Sequence, residues 1–408
     1  MSDEDLQKKL HRFRNLIQEN QPKPTASSFP ERYRTLAEAN NGELVTNHAG
    51  AYCLVKTLYP FEHYHGSCCL DDAASSATVP LSAFTPLEEP GELELSSMLF
   101  IDTETTGLGG AGAVAFLVGC GSLVEDGFEI RQYLLPDYSD ECAMLEDFQQ
   151  ELSNEQILVS YNGATFDLPL LKDRLVINRV AKDIPYGHHI DLLHAVRRIF
   201  RRRLKDCRLT NIERELFSFE RSEDIPGYLV PSVYFEWLSS DSLELLPDVL
   251  EHNRLDILSL FYLVDHIASI HRSQGEVLDE IDDLHSLSRV YSRRRDQAIV
   301  QAIIDRIDGS GDSALADDII LFNALNFKRA NALDKAVPLW HQLSQADSRE
   351  GFWANIELAK YYEHREHDPA RAYLFASRAR AVCPYGEARQ QQLAVRLERL
   401  RAKLRSEK

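Results

Sequence analysis

Leu99-Phe100-Ile101-Asp102-Thr103-Glu104-Thr105-Thr106-Gly107 is an apolar run that ends in two carboxylates one residue apart. Side chains on an extended strand repeat every second residue, so Asp102 and Glu104 project from the same face. Carboxylates held that close repel each other, and a divalent cation between them relieves the repulsion. Their hard oxygens suit Mg²⁺ or Mn²⁺. Taken alone, the pair reads equally as two solvated acids at a strand end.

The flanking chain supplies the rest of a sheet. A glycine-rich turn (Gly107, Gly109, Gly110, Gly112) leads to Ala113 through Cys120. A second turn at Asp126-Gly127 leads to Phe128 through Leu135, which predicts a three-strand meander. The glycines have no G-K-[ST] sequel and do not match the dinucleotide fingerprint, so they read as a tight turn and not as a phosphate cradle. Downstream, Ser139 is expected to cap a helix, Ile157-Leu158-Val159-Ser160-Tyr161 is a short buried strand, and the chain then turns mostly helical. Upstream, Leu44 to Tyr59 alternates like a strand pair around Ala49-Gly50. Asp72 to Ser97, rich in Ser, Ala, Pro, Thr and Glu, reads as a connector.

At 408 residues the chain predicts two or three domains. No stretch approaches the roughly 18 consecutive apolar residues of a membrane span. Met1 to Gln21 reads as an amphipathic helix, with Leu6, Leu10, Phe13 and Ile17 at helical spacing, and not as a secretory leader. The seven cysteines are scattered without a C-x-x-C pair, which fits reduced thiols in a cytoplasm. A net charge of −19 argues against wrapping a large area of nucleic acid. Against that background Arg197-Arg198-Ile199-Phe200-Arg201-Arg202-Arg203-Leu204-Lys205, followed by Arg208, is an isolated basic island.

Two further segments add acids. Tyr161-Asn162-Gly163-Ala164-Thr165-Phe166-Asp167 follows a buried strand and places Asp167 at the start of a helix, where its charge suits both the helix dipole and a metal. Leu250-Glu251-His252-Asn253-Arg254-Leu255-Asp256 sits on a long helix with Leu250, Leu260, Phe261 and Val264 as apolar partners. Residues four apart share a helix face, so His252 and Asp256 point at one spot. A histidine with an unperturbed pKa near 6.5 can take a proton from water near neutral pH. Asp191 reads as a helix cap, and His188-His189 and His63-Tyr64-His65 lack the third ligand of a zinc site.

In this order, Asp102, Glu104, Asp167 and Asp256 resemble the four acids of the DEDD exonuclease superfamily, which has a ribonuclease H-like fold. Asp191-Leu192-Leu193-His194, the basic island, Leu209 with Glu213, Asp224-Ile225-Pro226-Gly227 and His252 to Asp256 look more closely like its YprB-type branch. The resemblance implies a five-stranded mixed sheet flanked by helices and two divalent cations, Mg²⁺ or Mn²⁺, held by the four acids. It implies phosphodiester hydrolysis, 3′ to 5′, on single-stranded DNA or RNA. Two cations about 4 Å apart activate a water and stabilise the leaving oxygen. Asp102 would bridge the ions, Glu104 and Asp256 would hold the one that activates water, Asp167 would support the other, and His252 is the candidate base. Histidine-type members carry the base five residues before the last acid and tyrosine-type members four; His252 is a histidine at the tyrosine spacing. At about 100° per residue, four steps return within roughly 40° of Asp256, so a regular helix favours the spacing found here. Nucleic-acid contacts are expected from Thr105, Asn162 and Phe166 near the terminal nucleotide and from Arg201, Arg202 and Arg203 on phosphates.

The expected division is an N-terminal α/β extension and linker (1–95), a ribonuclease H-like domain (96–272), tetratricopeptide-like helical repeats (277–390) and a basic helix or tail (391–408). Ala324, Phe327, Ala336 and Trp340, then Ala372, Ala379 and Pro384, match small and aromatic packing sites of such repeats, at a little more than the usual period of about 34. Repeats of this kind can recruit a protein partner, and a non-catalytic nucleic-acid-binding scaffold is the alternative to the nuclease. A structure-specific endonuclease would use the same acids. No membrane contact is expected.

Overall fold

The structure, a computed structural model, describes residues 29–85, 91–107, 112–154, 156–222, 224–310, 315–383 and 386–406. The helix expected within Met1 to Gln21 lies outside them. Two compact units divide the chain, the first ending at Val277 and the second beginning at Leu278.

The first unit is built on one mixed sheet. Its strands are β1 (Glu43–Asn47), β2 (Gly50–Pro60), β3 (Met98–Thr105), β4 (Ala115–Val124), β5 (Gly127–Leu134), β6 (Ile157–Ser160) and β7 (His188–Asp191). They lie in the order β1-β2-β5-β4-β3-β6-β7. The three-strand meander is present as β3, β4 and β5, antiparallel throughout. Strands β6 and β7 then run parallel to β3, joined through helices as parallel neighbours must be.

The sheet therefore has seven strands and not five. The extra pair is the 43–60 hairpin, which continues the sheet by pairing β2 along the whole of β5, from Cys53 opposite Leu134 to Pro60 opposite Gly127. Helix α1 (Glu31–Ala39) is tied to the same body, because the Tyr33 hydroxyl donates to Asp140 at 2.7 Å and the Ala51 amide donates to the other oxygen of Asp140. The expected connector also has structure. It contains a short helix (Leu70–Ala74) and two strands, Thr78–Pro80 and Glu92–Glu94, paired with each other. Ser139 is not a helix cap: it sits in a 3₁₀ turn (Tyr138–Asp140) where Asp137 accepts its amide, and α2 (Glu141–Gln150) starts directly after that turn.

The two faces of β3 have different partners. Leu99 and Ile101 join the main apolar cluster with Met144, Leu145 and Phe148 of α2 and Leu168 and Leu171 of α3 (Asp167–Ile177). Phe100, Asp102 and Glu104 point the other way, towards the long helix α6 (Leu246–Arg272), where Phe261 packs against Phe100 and Phe128 at ring separations of 5.6 and 4.8 Å. Glycine at 119 and 121 of β4 allows that approach. A Cβ at Gly119 would stand 2.2 Å from Asn253 Oδ1, and one at Gly121 would stand 2.7 Å from Ile257 Cγ2. Between these elements lie α4 (Leu192–Leu204) and α5 (Val230–Ser240).

The second unit is helical among the described residues. Three pairs follow one another: α7 (Ile281–Arg294) with α8 (Gln297–Gly309), α9 (Asp317–Arg329) with α10 (Leu333–Leu343), and α11 (Arg349–His364) with α12 (Pro369–Ala381). The turn within each pair holds one left-handed residue, Arg295, Asn331 or His367. Ala324, Phe327, Ala336, Trp340, Ala372 and Ala379 are all buried; Pro384 lies outside the described residues. A last helix, α13 (Glu387–Ser406), spans the division expected at 390/391, burying Leu393, Leu397 and Leu400 and pairing Arg396, Arg399 and Lys403 with the buried Glu363.

Candidate active site

Three elements bring the acids together. Strand β3 presents Asp102 and Glu104 on its α6 face, and the pairing of Asp102 with Gly119 opens the space that α6 enters. Helix α6 contributes His252 and Asp256 one turn apart, with His252 Nε2 3.9 Å from Asp256 Oδ2 and 3.9 Å from Glu104 Oε1. Helix α3 starts at Asp167, as the sequence predicts, and Thr103 Oγ1 donates to Asp167 Oδ1 at 2.5 Å from the opposite face of β3.

Asp102 and Asp256 are anchored by side chains, and the loop before Asp167 is held in place. Asn253 is fully buried and donates through Nδ2 to Asp102 Oδ2 at 2.8 Å, while its own Oδ1 accepts from Gln132. Arg221 holds Asp256 Oδ1. The backbone before Asp167 is held by Asp191, which accepts the amides of Asn162 and Ala164 as well as that of Leu193 at the start of α4. Asp191 is thus the helix cap expected of it, and it also shapes the loop carrying the second motif. Asn162 adopts the left-handed conformation (φ 67°) that asparagine tolerates better than most residues.

The charges are strained against one another. Burial, with Asp256, Asp167 and Glu104 adding repulsion, pushes the Asp102 carboxyl well above its ordinary range. Burial likewise lifts Glu104 to about 8; His252 opposes the shift, and Asp256, Asp167 and Asp224 reinforce it. Asp167 rises to about 6, chiefly by burial, against the hydrogen bond from Thr103. For His252, burial favours the neutral ring, but Asp256, Glu104 and Asp224 outweigh it and raise the pKa. Such clustering of repelling, desolvated acids marks functional sites.

Behind the acids lies a buried network joined by residues far apart in the sequence. Arg221 is almost fully enclosed, makes a bidentate contact with the buried Glu213 at 2.6 and 2.8 Å, and reaches Asp224 at 3.4 Å besides Asp256. Ser259 donates to Glu213 and also contacts His65 Nε2 at 2.8 Å. Burial pushes Glu213 up while Arg221 and Ser259 pull it back, and the bidentate geometry is that of an ion pair. Asp224 lies 2.7 Å from His252 Nδ1. Arg221 Nη1 lies 3.3 Å from the same nitrogen, but the Asp224 contact is the shorter, and because a carboxylate only accepts it favours a proton on Nδ1 with Nε2 turned towards Glu104 and Asp256.

The expected nucleic-acid contacts separate. Asn162 and Arg201 line a common cavity, whereas Arg202 and Arg203 do not; Arg203 faces Glu215 at 3.7 Å and lies over the Phe200 ring. Phe166 is 48% exposed beside Asp167, the accessibility that base stacking requires. Thr105 donates its hydroxyl to the carbonyl of Gly107 at 2.8 Å.

Four carboxylates suit a hard divalent cation, and the upward displacement of Asp102, by burial first and by its neighbours' charge second, is one that a bound cation would oppose. As the side chains stand, no three His, Cys, Asp or Glu among the described residues are gathered closely enough to enclose an ion. One oxygen of Asp256 is taken by Arg221 and one oxygen of Asp167 by Thr103.

Residues 99–268 match the model of the RNase_H superfamily, so the fold and its acid-lined site define a ribonuclease H-like domain. Over 367 residues the chain is 34% identical to the uncharacterized protein YprB of Bacillus subtilis (strain 168), covering 87% of each chain, and it belongs to the YprB family. The family B DNA polymerase of the hyperthermophilic archaeon Pyrobaculum calidifontis matches 51% of this chain and 30% of its own, at 18% identity and a TM-score of 0.35. A superposition at that level does not by itself establish a shared fold. No described helix is long and apolar enough to cross a membrane.

Proposed function

We propose that the chain is a divalent-metal-dependent nuclease that hydrolyses phosphodiester bonds from the 3′ end of single-stranded DNA or RNA. The observation that carries this reading is the convergence of Asp102, Glu104, Asp167 and Asp256, where burial, reinforced by the charge of the neighbouring carboxylates, lifts Asp102 far from its ordinary range. Two cations held by these acids would supply a water that is nucleophilic near neutral pH and charge to stabilise the leaving oxygen. The chain's own groups do the rest. Asn253 fixes the orientation of Asp102. Asp224 fixes the tautomer and direction of His252, leaving Nε2 to take the proton from the attacking water. Exposed Phe166 offers a ring face to the terminal base.

The test uses 5′-labelled and 3′-labelled DNA and RNA oligonucleotides with Mg²⁺, Mn²⁺ or chelator. The reading predicts a metal-dependent ladder growing from the 3′ end, and a discrete internal product would instead identify an endonuclease at the same acids.

A scaffold role has one observation in its favour. The helical unit carries a cavity of about 630 Å³ lined by Phe322, Leu325 and Trp353 together with Arg289 and Arg349, which suits a partner segment. Capture of a stable protein partner together with absence of turnover on every labelled substrate would favour the scaffold over the nuclease.

A further inference from the structure

The basic island is not uniformly spent on the fold. Arg197 and Arg201 stand one turn apart on α4, and Lys205 ends that helix in a left-handed conformation (φ 59°), so the three cations run along one side. They line a cavity of about 550 Å³ with Arg208, Tyr161 and Asn162. Arg208 is paired with Asp206 at 2.6 Å, but Arg197, Arg201 and Lys205 form no ion pair among the described residues. Three unneutralised cations facing one cavity repel one another, in a chain whose net charge of −19 offers many acids to pair with. A multiply charged anion resolves that repulsion.

Along one wall the cavity adjoins the loop that carries Asp167. Its Asn162 wall passes directly into Gly163, where an added Cβ would stand 3.0 Å from Asp167 Oδ2. We propose that this cavity is a phosphate subsite holding the sugar–phosphate backbone of a single strand beside the acid cluster. Arg197, Arg201, Lys205 and Arg208 make the phosphate contacts, and Arg202 and Arg203 take no part. The choice of a polynucleotide rests on the nuclease reading, but the subsite itself requires no turnover.

The experiment is a fluorescence-anisotropy titration of a labelled single-stranded oligonucleotide, in chelator so that nothing is cut, at salt concentrations from 0.05 to about 1 M. Each phosphate contact contributes about 0.7 to the slope of log affinity against log salt, so the wild type is expected to show a slope of about −2 to −3. Arg197→Gln/Arg201→Gln is expected to lose about 1.4 of that slope and to bind about 25-fold more weakly at 0.1 M, with the difference vanishing near 1 M. Arg380→Gln/Arg405→Gln removes the same charge from the helical unit and is expected to leave the slope unchanged. A readout without substitution comes from Cys207, which lines the same cavity. Oligonucleotide is expected to slow its alkylation and not that of Cys383. A wild-type slope near zero, an unchanged slope in the 197/201 variant or unprotected Cys207 overturns the proposal, as does equal displacement by polyglutamate at the same charge concentration. Failure of the nuclease reading would appear elsewhere, as binding with intact salt dependence but no cleavage when metal is restored.

Discussion

Replacing Arg221 with methionine tests a deeply enclosed ion pair beside the acid cluster. Its side chain is 3% exposed, and its partner Glu213 is 0% exposed. Methionine keeps much of the volume and removes every hydrogen bond, so Glu213 is left as an uncompensated buried carboxylate with only Ser259 donating to it. Removing one partner of such a pair costs about 3–5 kcal/mol, a large share of a domain's total stability. Equilibrium urea unfolding of the full chain measures the loss, and hydrogen exchange read on peptides from α6 localises it to this unit. Adding Glu213→Gln removes the orphaned charge, so the double variant is expected to recover about 2 kcal/mol or more relative to Arg221→Met. A loss below about 1 kcal/mol in the single variant, or simple additivity in the double, would refute the view that Arg221 is the charge that compensates the buried Glu213.

In chelator the melting temperature is expected to fall as pH rises from about 5 to about 8, because Glu104 (ordinary value 4.5, here about 8) and Asp167 (3.8, here about 6) keep protons in the folded state that the unfolded chain releases. The raised pKa of His252 acts in the same sense, its contribution being complete below 6.5 and lost above. Mg²⁺ or Mn²⁺ should flatten this dependence, and a melting temperature that rises with pH in chelator would contradict it. Gly119→Ala places a methyl group 2.2 Å from Asn253 Oδ1, which is expected to cost about 1–3 kcal/mol in urea melts and to disturb Asp102 through Asn253. Asp224→Asn should lower kcat about tenfold to a hundredfold with KM little changed and shift the pH profile, a part of the 10²–10⁴ that a positioned base supplies. Partial rescue by Asp224→Glu would confirm positioning, and an unaltered profile would remove Asp224 from that role.

The parts of this site that sequence reveals are those whose geometry is local. The same-face pair Asp102 and Glu104 follows from strand alternation, and the shared face of His252 and Asp256 from the four-residue helical step. The cap at Asp191 is equally local, although the sequence does not tell that its carboxylate also shapes the 162–164 loop. What stays hidden depends on distant pairing. Nothing in residues 43–60 announces that β2 will lie along β5, more than 60 residues away, so the hairpin reads as a separate extension. Arg221 looks like one more surface charge between Glu220 and Ser222, and only the folded chain encloses it with Glu213 and Asp256. The basic island is visible by composition, but which arginines face the cavity depends on how α4 is rolled against its neighbours.

The central claim is that Asp102 and its partners cut phosphodiester bonds with the help of divalent metal. A time course of oligonucleotide hydrolysis in Mn²⁺, comparing the wild type with Asp102→Asn, tests it most directly. The account predicts turnover by the wild type, none in chelator, and a loss of at least a hundredfold, on the order expected for removing a shared metal ligand, in the variant. Equal hydrolysis by both proteins, or hydrolysis that persists in chelator, would contradict it.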